Sequence, residues 1–491
     1  MLVLVYLFNF LDRQLLSILA QRIRADLGLD DAELGFLYGT AFGIFYAVCG
    51  FPLARLADTT SRRALMAGCL LLWSAATCAS AFAGSFAGLA AARVLVGAGE
   101  AGAAPAAYSW LADQFPPARR ATALAIYNAG IYLGIGAALV LGGFVVERWD
   151  AAYAGGGAPL GLAGWQAAFL FAGAPGALLA LAVLALREPA RGVLDGAPAT
   201  PAAHPWRESA GELLALLPPF SALELALAGA GPALVLNLAL AAALAGAAFA
   251  LTHWLGSAPQ WIALALGLYA YACWAQRLAR RDASAFAAVF RTPALTWTAL
   301  GFACHSFRGY GLLYWMAPFF LRVHGGGEAE VGARLGLLNA GLGAAGVVAG
   351  GWLADRWRAR DPRGRLWFSM AVSVLPALIA VPLILTDDAT LAYALYAPFA
   401  LVVAMWMGAG GATVTDLVPP RHRAKATASY LYLITIIGLG LGPYVIGRLS
   451  QAFGDLRPAL LWALAAEVVA VLCLWRASRT LVRDEARARA A

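Results

Sequence analysis

Four charged side chains stand inside stretches that are otherwise apolar. Asp12 and Arg13 interrupt the run 1–20, and Arg93 and Glu100 interrupt the run 86–112. A charge near the middle of a membrane helix costs about 2.5–3.5 kcal/mol on insertion scales, so such groups pair or face a wet cavity. Adjacent Asp12 and Arg13 point roughly 100° apart around a helix, so each can meet a different neighbour. Arg93 and Glu100 lie two turns apart and share a face. Burial disfavours a carboxylate's charge and a nearby guanidinium restores it, so a carboxylate whose arginine moves away takes up a proton. The expected chemistry is a protonation switch in which Asp12 and Glu100 compete for Arg13. The alternative reading of the same residues is a static ion pair that holds two helices together.

A second set follows in the run 293–320. His305 and Arg308 are three residues apart and share a face, and a guanidinium forks naturally onto a phosphate or carboxylate. They are candidate ligands for an anionic headgroup, with a snorkelling arginine beside a hydrogen-bonded histidine as the alternative. Tyr127, Asn128 and Asn339 are further candidates for lining a cavity, and Glu467 is expected to make a local structural bond.

The elements that must position these residues are membrane helices. The chain of 491 residues is 62% hydrophobic and 13% charged, with a mean hydropathy of +0.73. A soluble domain carries about 25% charged residues, so most of this surface must face lipid. Runs of about 20 apolar residues suffice to cross a bilayer. They fall in two sets of six, in 1–187 and 292–476, joined by a Pro- and Ala-rich linker over 188–229. The segment 225–276 contains no Asp, Glu, Lys or Arg. It is expected to supply an inserted transmembrane hairpin over 230–277, followed by a connector over 278–291. A tail over 477–491 closes the chain. The expected fold is an all-α membrane protein with 14 spans.

Lys425 is the only lysine among 35 basic residues, and the arginines concentrate in alternate loops. By the positive-inside rule those loops and both termini are cytoplasmic, in a bacterial inner membrane. The net charge of +8 is explained by this orientation, not by nucleic-acid binding. The six cysteines lie inside apolar runs without metal-ligand spacing, so neither a disulfide framework nor a metal site is expected.

Two loops repeat a pattern in the two halves. Ala54-Arg-Leu-Ala-Asp58-Thr-Thr-Ser-Arg62-Arg63 is matched by Gly351-Trp-Leu-Ala-Asp355-Arg356 and its following basic run. A loop duplicated in two membrane-embedded halves marks a transporter in which one half rocks against the other. Asp58 and Asp355 are read as gate elements, with Arg62, Arg63, Arg93, Arg119 and Arg356 as their basic partners. A carboxylate at a helix end can bond Arg119 or the next helix's N-terminal amides. Retention of basic loops alone would explain the arginines but not the aspartates.

These loops resemble the signature of the major facilitator superfamily. Leu56, Ala57, Asp58, Arg62 and Arg63 match it, as do Gly351, Leu353, Ala354, Asp355 and Arg356. Asn9-Phe-Leu-Asp12-Arg13 and Arg93-Val-Leu-Val-Gly97-Ala-Gly99-Glu100-Ala resemble the spinster branch. That resemblance implies two six-helix bundles and transport of lysophospholipid or sphingoid phosphate, with proton coupling.

The resulting expectation is a monomeric, proton-linked secondary transporter for an amphipathic, anionic, lipid-like molecule. Protons and membrane lipids are its other partners, and no cofactor is expected. The alternatives are a carrier of hydrophilic organic anions such as sugar phosphates, or a facilitator without coupling. An enzyme is not expected, because no metal array, Ser–His pair or Walker loop occurs at motif spacing.

Overall fold

Long apolar stretches form helices, since only a helix satisfies every backbone amide within one segment in lipid. The computed structural model describes residues 1–191 and 204–490. Its first six long helices are α1 (Leu2–Leu27), α2 (Asp31–Thr59), α3 (Arg62–Ser80), α4 (Phe86–Gln114), α5 (Pro117–Ala152) and α6 (Gly164–Leu184). Then come α7 (Gly231–Leu255) and α8 (Ala258–Arg281). The second set is α9 (Pro293–Phe319), α10 (Glu328–Arg360), α11 (Gly364–Leu385), α12 (Ala389–Asp416), α13 (Pro420–Phe453) and α14 (Leu456–Ala490).

Among the described residues, 12 helices are long and apolar enough to cross a membrane. The two long helices outside that set are α8 and α9. With 24 and 27 residues they reach roughly 36 and 40 Å at 1.5 Å per residue, more than a bilayer core. Their polarity sets them apart: α8 ends in Arg277, Arg280 and Arg281, and α9 carries His305 and Arg308. The expectation of 14 spans thus rests on length for these two.

The chain forms two compact units. One comprises Met1–Leu29, Ala41–Pro218 and Gly325–Ala340; the other comprises Asp30–Thr40, Pro219–His324 and Gly341–Ala491. Each therefore takes a short segment from the opposite half of the sequence.

Within the first unit, α1 packs along α5, α3 against α4 and α6, and α5 against the start of α10. Gly134 permits the first contact, because a Cβ there would lie 2.3 Å from the Leu7 carbonyl oxygen. The middle of the linker, 192–203, lies outside the described residues. Beyond it the linker forms a short helix, Pro205–Leu214, whose Glu208 and Glu212 both take Arg55.

Within the second unit, α9 packs on α14 and α13, and the start of α2 packs on α13. α13 widens to π-helical geometry at Ile434–Leu439. There the Ser306 hydroxyl donates to the Ile434 carbonyl at 3.1 Å, satisfying a group close to the break. Helices α7 and α8 pack as a hairpin, and α8 is tied along α13 by polar contacts. Tyr432 donates to the Gly267 carbonyl (2.8 Å), the Tyr271 and Ser429 hydroxyls pair (2.6 Å), and Lys425 pairs with Asp282. At the other end Gln260 accepts from Thr40 at 2.6 Å.

Candidate functional site

Each unit buries a charged cluster deep among its helices. In the first, Tyr6, Phe10 and Arg13 follow one another at helical spacing on α1, so all three sit on one face. Arg13 Nε donates to Glu100 Oε2 at 2.6 Å, linking α1 to α4. Its guanidinium also lies 4.8, 4.5 and 4.5 Å from the ring centres of Phe10, Phe42 and Tyr46. Arg93, two turns before Glu100, donates from Nη1 to the Asp12 carbonyl at 3.2 Å. Asp12, Arg93 and Glu100 are at most 1% exposed.

The Asp12 carboxylate points elsewhere. Neither of its oxygens has a hydrogen bond of standard geometry. Its polar neighbours are Thr77 and Trp73, whose hydroxyl and indole nitrogen are likewise buried without a hydrogen bond. Thus Arg13 selects Glu100, and Asp12 faces a small polar recess on α3.

An aromatic wall adjoins this pair. Tyr127 stacks on Tyr6 at 4.3 Å and meets Tyr108 edge-on at 5.6 Å, and Tyr108 donates to Asn128 Oδ1 at 3.1 Å. Tyr127 and Asn128 are therefore brought near Arg13 through Tyr6. Sequence reasoning missed Tyr6, Tyr46 and Tyr108, although the spacings 6–10–13 and 42–46 carried the signal.

In the second unit Arg308 Nε donates to Glu467 Oε1 at 2.6 Å, and Arg308 Nη2 donates to His305 Nε2 at 3.0 Å. Accepting that bond makes Nε2 the unprotonated nitrogen, so Nδ1–H faces Glu467 Oε2 at 3.0 Å and Ser373 Oγ at 3.1 Å. Glu467, expected to bond locally, instead joins α14 to α9. Among the described residues Arg308 Nη1 is buried with no hydrogen-bond partner, which leaves its two N–H groups for an anion. Asn339 is not part of either cluster; its amide donates to the Leu335 carbonyl of its own helix at 2.8 Å.

The two repeated loops build related ion pairs. Arg62, at the first turn of α3, reaches Asp113 near the end of α4. It also donates to Glu188 Oε1 at 2.9 Å and to the Ser109 and Pro189 carbonyls at 2.9 and 2.8 Å. In the second unit Arg365, at the first turn of α11, donates to Asp416 at the end of α12 at 2.6 Å and to Asp355 at 2.8 Å.

The partners differ from those expected. Among the described residues the Asp58 carboxylate makes no hydrogen bond or ion pair, although the charges of Arg191 and Arg62 act on it. The carboxylate at the start of α3 is Glu188, which accepts from the Arg62 and Arg63 amides at 3.0 and 3.3 Å and from the Ser61 hydroxyl at 2.8 Å. Burial raises the pKa of Glu188, but these donors outweigh it and hold the carboxyl below its ordinary value. Arg63 donates to the Leu186 carbonyl (3.1 Å), Arg119 is exposed, and Arg356 lies over Trp352 at 5.5 Å.

Helices with buried, mutually paired charges and a loop motif repeated in both units define a multi-pass membrane transporter. Residues 2–443 match the Major Facilitator Superfamily model, and the chain belongs to that family. It is similar to the crystal structure of a bacterial homologue of the human lysosomal transporter Spinster, in an inward-facing, unoccupied conformation. That match has a TM-score of 0.73 and 26% identity, covering 98% of this chain and 96% of the other. An MFS-type efflux pump of Mycolicibacterium smegmatis is 29% identical over 98% of this chain and 92% of its own length. A probable galactarate/D-glucarate transporter, GudP, of Bacillus subtilis is 31% identical over 37% of this chain and 38% of its own.

Proposed function

We propose that this transporter couples proton movement to the carriage of an amphipathic, anionic, lipid-like substrate. The carrying observation is a contrast on α1: Arg13 is bonded to Glu100 at 2.6 Å, while the buried Asp12 carboxylate has no hydrogen bond of standard geometry. A carboxylate in that position gains from a proton, and transferring Arg13 from Glu100 to Asp12 would move that proton between them. The aromatic wall of Tyr6, Tyr108 and Tyr127 suits an apolar chain beside a cationic anchor. The likeness to a Spinster homologue agrees with the spinster-like motifs at Asn9–Arg13 and Arg93–Glu100, and it is that resemblance which implies the lipid-like class. Asp58, Arg62, Arg63, Asp355 and Arg356 are proposed as gate elements on the cytoplasmic side, in an inner-membrane monomer with both termini cytoplasmic.

The sugar-acid transporters similar to part of the chain favour a second reading, a hydrophilic organic anion held by Arg308 Nη1. Proteoliposome flux of a labelled lysophospholipid and of glucarate, each with and without a pH gradient, separates the two. Gradient-driven flux of the lipid, abolished in Glu100→Gln, is the result expected. Glucarate flux alone would replace the lipid reading with the second one.

A further inference from the structure

A cavity of about 340 Å³ opens at one end of the second unit, between the helix Ala283–Phe290, the start of α9, the α12–α13 turn and the end of α14. Arg291, Arg421, Arg487, His422, Ser284 and Asp484 line it. An adjoining cavity of about 500 Å³ shares Arg421 and adds Arg423 and Arg489. The one carboxylate in the smaller cavity is already engaged. Asp484 Oδ2 accepts from the Ala294 amide at 3.0 Å, capping α9, and Oδ1 accepts from Arg483 at 3.0 Å. Charge in the cavity is therefore strongly positive.

His422 adds an unsatisfied donor to this lining. Its ring is 5% exposed, and Nε2 accepts from Arg421 Nε at 3.2 Å. A neutral imidazole that accepts at one nitrogen carries its proton on the other. That nitrogen, Nδ1, is buried without a hydrogen-bond partner. A buried N–H with no acceptor costs stability, and a site of this kind gains from a ligand oxygen that accepts.

We propose that this cavity binds a phosphate group, held by Arg291, Arg421 and Arg487 and accepting a hydrogen bond from His422 Nδ1. The arginine-rich loops that form it are those the positive-inside rule places on the cytoplasmic side. Basic pockets among transmembrane helices on that side hold anionic lipid headgroups. The phosphate comes either from such a headgroup or from a soluble phosphate compound. The site is independent of the transported substrate, because none of these residues belongs to either buried cluster.

The test uses the purified full chain in neutral detergent, titrated separately with dioleoylphosphatidylglycerol, dioleoylphosphatidylcholine and inorganic phosphate at matched ionic strength. Expected is saturable binding of phosphatidylglycerol over phosphatidylcholine, weakened about tenfold or more in Arg291→Gln/Arg487→Gln. Arg479→Gln, on the same terminal helix, keeps the wild-type affinity. Inorganic phosphate that binds with the same residue dependence and displaces the lipid assigns the soluble source. Equal binding of both lipids with none of phosphate, or unchanged affinities in the double variant, overturns the site. If the double variant does not fold, the wild-type salt dependence decides: affinity falls steeply with NaCl for a site of three cations, and a flat profile rules it out.

Discussion

Arg13 and Glu100, 87 residues apart, are joined by a bond of 2.6 Å between α1 and α4, while the chain neighbour of Arg13, Asp12, offers only its carbonyl to Arg93. The cluster thus buries two carboxylates in different settings: Glu100 holds Arg13, and Asp12 faces the Thr77 and Trp73 recess on α3.

Glu100→Gln removes the charge and keeps the shape. Arg13 then loses its anion, and Asp12 becomes the remaining carboxylate within the cluster. Accumulation driven by a pH gradient is expected to fall at least tenfold, while exchange without a gradient persists. Asp12→Asn is expected to do the same. Full gradient response in both variants would reduce the cluster to a static ion pair.

The second cluster makes a prediction about stability. Breaking a buried pair by removing one partner costs about 3–5 kcal/mol, because the other charge stays buried. Glu467→Ala strands the Arg308 charge and leaves His305 Nδ1 with Ser373 alone, so thermal unfolding should drop by many degrees. Replacing the pair together, Arg308→Met with Glu467→Leu, is expected to recover most of the loss. A double variant no better than Glu467→Ala would show that the charges are not coupled.

Glu188 lends the start of α3 a pH dependence with a definite sign. Its folded pKa lies below the ordinary 4.5, through burial outweighed by the Ser61, Arg62 and Arg63 donors. A carboxyl depressed in the folded state stabilises fully above its unfolded pKa and loses that contribution as pH falls through the folded value. The stability difference between wild type and Glu188→Gln should be largest near neutrality and shrink below about pH 4.5. A difference that grows on acidification would contradict the hydrogen bonds seen here.

Much of this was legible in the residues. Asp12, Arg13, Arg93 and Glu100 stood out because charge in an apolar run is costly, and that cost is offset for Arg13 and Glu100 by their pairing. Partner choice was not. Glu188 lies beyond the end of α6, and nothing in its spacing relates it to the amides at the start of α3. Glu467 was hidden likewise, because its partners are 159 and 162 residues away. Spacing reports neighbours on one helix; which helix lies opposite is decided by packing.

Two ion pairs outside both clusters were also beyond spacing, and they differ in an instructive way. In the first unit Arg22, near the end of α1, holds Glu328 at the start of α10 with bonds of 2.6 and 3.1 Å. In the second, Arg322, just after α9, holds Asp31 at the start of α2 with two bonds of 2.6 Å. The placements correspond, helix end to helix start, but the surroundings do not. Arg22 is 45% exposed, so solvent screens its pair to about 0–1 kcal/mol. Asp31 is 5% exposed and also accepts from Ser450 at 2.7 Å, so removing it leaves Arg322 and a buried hydroxyl without their anion. Asp31→Ala should therefore cost about 2 kcal/mol or more, below the fully buried range because Arg322 is 20% exposed. Glu328→Ala should change stability far less. Unfolding midpoints of the two variants in one detergent test the argument. Equal losses would mean that burial does not set the strength of these pairs, and that their shared position at the helix ends does.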